Sequence, residues 1–111
     1  MSRPIPRRLL PHTVTLRRPS GVDQYQQQTY EDTTLQYVRI EPANTTGLTD
    51  LGERAQDTAV LFVDVRNSMP SGIVIEQLDR VQWNGREYTV RQVDLLYADS
   101  SELHHREVRL T

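Results

Sequence analysis

Cysteine and lysine are both missing from these 111 residues. Without cysteine there is no disulfide framework, no thiolate ligand for zinc and no thiol nucleophile. Without lysine, all thirteen cationic side chains are arginine, whose planar fork suits bidentate and stacked contacts, although the base composition of a gene produces the same bias. Histidine is scarce, at His12, His104 and His105. Adjacent residues on a strand point to opposite faces, so His104 and His105 do not make a metal site unaided. There is no glycine-rich phosphate loop. Neither Ser100 nor Ser101 sits in a nucleophile-elbow sequence, which leaves them, with Asp99, as a polar turn. The residues therefore point to no enzyme and no cofactor. No apolar run reaches transmembrane length, and Leu9-Leu10 is stopped by Pro11 where a signal peptide needs an apolar core. Synthesis in the cytoplasm, with no membrane partner, is the expectation.

What is present is unevenly placed. The formal net charge is -2, too near neutral for a whole-protein footprint on nucleic acid. Yet Arg3, Arg7, Arg8, Arg17 and Arg18 fall within the first 20 residues with no acid among them, so a basic arm precedes an acidic body.

The strongest structural signal lies in residues 78–93. Asn84-Gly85 marks a two-residue type I′ turn, because both central residues need positive φ. That turn sets Trp83 opposite Arg86, Gln82 opposite Glu87, Val81 opposite Tyr88, Arg80 opposite Thr89 and Asp79 opposite Val90. Val81, Trp83, Tyr88 and Val90 then share an apolar face, while Arg80, Gln82, Glu87, Thr89 and Arg91 share a wet one. A slip of one residue would put Trp83 and Val81 into water, so turn and pattern agree.

Residues 1–11 carry Pro4, Pro6 and Pro11 and read as an extended arm. Residues 12–18 alternate with Val14 and Leu16 inward, a first strand expected to end at Pro19-Ser20-Gly21. Residues 24–29 are a loop or an edge strand. Residues 33–40 are β-branched and aromatic and stop at Glu41-Pro42. Residues 59–65 form a continuous apolar run, read as a strand covered on both faces. Asp64 interrupts it and is expected to bond a turn amide beyond Val65. After a turn at Pro70-Ser71-Gly72, residues 73–75 read as a brief strand. Leu95, Leu96 and Tyr97 follow the hairpin, and residues 103–110 close the chain as a last strand. The expected fold is all-β: a small antiparallel barrel or sandwich over 12–111, with an extended arm and a long loop.

That loop, residues 43–57, is long for so small a domain, and loops of this length tend to be functional or disordered. A single helical turn with Asp50 as cap and Glu53 three residues on is compatible with it. Among the aromatics, Trp83, Tyr88, Tyr37 and Phe62 fall in apolar patterns and read as core. Tyr25 and Tyr30 are freer, but glutamine and acid flank them. An OB-like module binding single-stranded nucleic acid or a protein partner remains an alternative, weakened by the missing basic stripe.

Four blocks in order resemble the small minor capsid, or head-completion, proteins of tailed bacteriophages. They are residues 3–10 with His12, Val14 and Thr15; Leu61, Phe62, Val63 and Asp64 with Asn67 and Ser68; residues 84–90; and Leu103, His104 and His105 with Glu107 and Val108. One departure is Leu78-Asp79, where that family usually has Gly-Asp. The resemblance implies a structural protein assembled in the bacterial cytoplasm into virions. There it would form a ring with copies of itself below the portal, between a portal-side connector or adaptor and a tail-side terminator or completion protein. DNA would pass through the channel without sequence-specific binding. On this expectation Thr45, Thr46, Gly47, Leu48, Asp50, Leu51, Gly52, Glu53 and Arg54 form a channel loop whose ring of charges, with Asp57, is anionic. Arg3, Ile5, Arg7 and Arg8 form the docking arm, and Val81, Trp83, Asn84, Gly85, Tyr88 and Val90 the structural hairpin.

Overall fold

The computed structural model describes residues 3–42, 59–97 and 102–111. Its strands are β1 (His12–Val22), β2 (Gln28–Pro42), β3 (Ala59–Asp64), β4 (Arg80–Trp83), β5 (Arg86–Tyr97) and β6 (Leu103–Leu110). They close into an antiparallel barrel in the order β1-β2-β3-β6-β5-β4. Alternation along each strand sends one set of side chains inside: Val14, Leu16, Leu35, Val38, Ile40, Ala59, Leu61, Val63, Val81, Tyr88, Val90, Val108 and Leu110 are all buried. No helix among the described residues is long and apolar enough to cross a membrane.

The β4–β5 hairpin has the pairing its turn dictates, with Trp83 opposite Arg86 and Arg80 opposite Thr89. Asn84 and Gly85 hold φ of 54° and 80°, the left-handed pair a type I′ turn requires. Asp79 continues the ladder as Val90 N–H donates to its carbonyl at 2.7 Å.

Several strands differ from the sequence expectation. β1 runs through Pro19, Ser20 and Gly21 instead of ending there. β4 pairs with β1 only as far as Arg17, so at Pro19 β1 is paired on one side alone, with Tyr30 of β2, the edge setting in which a strand tolerates proline. Residues 23–27 turn the chain, with Asp23 Oδ1 accepting from the amides of Tyr25 and Gln27, and β2 starts at Gln28. β5 extends through Leu95, Leu96 and Tyr97.

The brief strand expected at 73–75 does not form. The segment from β3 to β4 instead crosses β2 and β1, tied at Gln36 by Met69 and at Arg18 by the Val74 carbonyl and Asp79. Its Ile75 enters the core and Ile73 packs against it. Nor is β3 fully covered outside: Val60 and Phe62 are half-buried, because a barrel strand has only one inner face.

Tyr37 is the clearest exception to the alternation. Between the pairs His12–Val38 and Val14–Leu35, β2 carries one residue more than β1. This bulge gives Tyr37 a φ of 57° and turns its ring out of the core, 38% exposed. Gln36 pairs with Met69 through two backbone bonds, and Ser68 Oγ donates to the Tyr37 carbonyl. The displaced residues are thus held in place by the turn after β3.

Candidate functional site

From Arg3 onward the arm lies on its own barrel. Proline spacing keeps it extended up to a short 3-10 turn at Arg7–Leu9, and Leu10 ends it, buried at the edge of the core. Asp64, at the end of β3, is the anchor. Its Oδ1 accepts from Ile5 N–H at 2.9 Å, and its Oδ2 from the amides of Arg66 and Asn67 at 2.9 and 2.8 Å. The turn amides are those expected from sequence; the bond to the arm is not. Asn67 Nδ2 returns a bond to the Ile5 carbonyl at 2.7 Å, so one peptide of the arm is gripped on both sides. Ser68 Oγ accepts from Asp64 N–H at 2.8 Å and locks the turn. An Asp followed within four residues by Asn and Ser is a turn-forming pattern, but nothing in it points to a partner 59 residues away.

Beyond Ile5 the arm presents cations. The Arg7 guanidinium stacks over the Tyr37 ring at 4.2 Å. Arg3 and Arg8 are exposed. Ile5, Leu9 and Leu10 line an apolar cleft of about 220 Å³ with Phe62, Arg39 and Glu41. Arg39 Nε and Glu41 Oε2 close the rim as an ion pair at 2.7 Å. Of the arm residues singled out from sequence, Ile5 is therefore set beside the half-buried Phe62 and Arg7 over the exposed Tyr37, while Arg3 and Arg8 face solvent.

His104 and His105 do not point apart. β6 has one extra residue between the pairs Leu96–His105 and Tyr97–Leu103, and a bulge breaks strict alternation. Their Nδ1 atoms lie 2.7 Å apart. His104 Nε2 donates to the Arg3 carbonyl at 2.7 Å, and His105 Nε2 is 3.1 Å from Glu107 Oε2. His12, by contrast, accepts from Ile40 N–H through Nδ1 and sets its ring edge on Trp83 at 5.1 Å. Its role is to complete the start of the β1–β2 ladder.

The opposite face, on β1, β4 and β5, is charged but self-neutralised. Arg17 bonds Asp32 and Glu87, and Arg80 bonds Glu87. Both guanidinium groups also lie over the Tyr30 ring. Arg80, then Gln82 and Arg17, hold the Glu87 carboxyl below the usual carboxylate range. Arginines matched to acids in this way offer little charge to a phosphate backbone. Tyr25 stands exposed at the tip of the β1–β2 hairpin, away from these cations in sequence.

The hairpin residues Val81, Tyr88 and Val90 sit inside the barrel with Trp83 packed against them. The candidate loop from Thr45 to Arg54 lies outside the described residues. Its anchors are defined: Pro42 and Ala59, which flank 43–58, are directly paired.

No curated protein matches the chain. The minor capsid protein family matches residues 6–110, a span that takes in most of the arm, Asp64, the Asn84-Gly85 hairpin and the histidine pair. The chain belongs to the minor capsid protein family and is a structural component of a phage virion.

Proposed function

We propose that this chain is a head-completion protein, assembled as a ring at the portal vertex between the connector and the tail. The family match over residues 6–110 carries the reading. The surface supports it: the barrel carries the arm's Arg3, Arg7 and Arg8, for which no ion pair occurs among the described residues, beside an exposed tyrosine and an apolar cleft, the chemistry of a protein contact centre. On this reading Arg3, Arg7 and Arg8 meet acidic groups of a neighbouring subunit or of the adjacent connector ring, adding steering and specificity.

The loop between Pro42 and Ala59 closes the channel in the same account. Its net charge is negative, so it blocks DNA without gripping phosphates. Shortening 45–54 while keeping the barrel should give particles that assemble and then lose DNA. Full retention of DNA would remove the plug. For the whole reading, gold-labelled antibody against the protein should mark a single vertex at the head-tail junction; label spread over the capsid would refute it.

A further inference from the structure

We propose that His104 and His105 share one proton, and that this proton latches the N-terminal arm onto β6. The count follows from three contacts. A carbonyl accepts from His104 Nε2, a carboxylate faces His105 Nε2, and the two Nδ1 atoms face each other at 2.7 Å. Both end partners are acceptors, so both Nε2 atoms must carry hydrogen. The central contact needs a third hydrogen, on either Nδ1. Two neutral imidazoles supply only two hydrogens. The complete chain therefore holds one cation, delocalised over the pair and faced by Glu107.

Loss of that proton to solvent leaves one of the three contacts as two opposed lone pairs. Among the described residues, the charged side chains at this end of β6 and beside it in the ladder are Arg3 on the arm, Asp64 on β3, Asp94 on β5, Glu102 just before β6, and Arg106 and Glu107 on it. Asp64 is occupied by three amides, and Asp94 by Gln92 and Arg109. Glu107 is in direct contact with the pair, through His105 Nε2. His105 and Glu107 side chains are only 19% and 28% exposed, so water poorly replaces a bond lost at that end, whereas the His104 contact to the Arg3 carbonyl faces solvent. The latch is complete with one proton and weakens as pH rises. A second proton would place two N–H groups against each other and weaken it again at acid pH. Release would free an arm that the proposed function assigns to docking; that consequence rests on the docking reading, whereas the latch does not.

The test uses the full chain in solution. Amide exchange at Ile5, which donates to Asp64, reports arm docking. Its protection should fall about tenfold between pH 6 and pH 8, the size of one charge-assisted bond. In Glu107→Gln, which removes the counter-charge, the fall should occur at lower pH. Nitrogen-15 spectra of the wild type should show both Nδ1 signals moving together while both Nε2 atoms stay protonated through the one-proton range. Equal Ile5 protection at the two pH values, or two histidines titrating independently, would overturn the latch. An intact latch in a protein whose arm deletion leaves incorporation into particles unchanged would refute docking and spare the latch.

Discussion

Leu78 is 66% exposed and holds a φ of 79°, in the left-handed region that favours glycine. The leucine bears the strain of that conformation, with little packing in return. Leu78→Gly should therefore stabilise the fold by about 1 kcal/mol, read as a rise in thermal midpoint. The neighbouring Asp79 is 2% exposed and takes a two-pronged contact from Arg18 at 3.1 and 2.7 Å. Ser68 is as deeply placed and serves two backbone groups at once, accepting from Asp64 N–H and donating to the Tyr37 carbonyl. Ser68→Ala leaves both unpaired and should cost about 2 kcal/mol in denaturant unfolding. Asp64→Ala should cost about 3 kcal/mol, because three amides lose their acceptor. It should also raise exchange at Ile5, which Ser68→Ala should disturb less.

At the scale of elements, the β4–β5 hairpin was legible because two independent signals agreed on one register. Nothing crowds the position of a Cβ on Gly85, so Gly85→Ala tests backbone conformation alone and should cost about 1 kcal/mol at φ of 80°. Val14 and Leu16 were equally readable from alternation. The same rule failed at Tyr37 and at His104, and for one reason: each lies at a bulge, where an extra residue breaks the period of two. Proline at position 19 misled in another way, since it ends a central strand but not an edge. The arm was readable as extended from its prolines. Its seat was not, because Asp64, Asn67 and His104 reach it from 59 to 101 residues along the chain.

For the whole molecule, ion pairs on the outer wall set the response to acid. Arg80, Gln82 and Arg17 lower the proton affinity of Glu87, and Gln92 with Arg109 lowers that of Asp94. Both groups bind protons less readily folded than unfolded, so the stability they lend is fully present above the ordinary carboxylate range of about 4 and is lost as pH falls below it toward their lowered folded values. The thermal midpoint should drop across that window, less steeply in Glu87→Gln, and salt should shrink the difference because these groups are partly exposed. Function belongs to this scale too: the family sets the chain among virion structural proteins, and the arm face supplies a surface on which assembly could act. Deleting the gene from the phage or prophage that carries it, and imaging the lysate by electron microscopy, tests this most directly. The account predicts DNA-filled or freshly emptied heads without attached tails; normal infectious particles would contradict it.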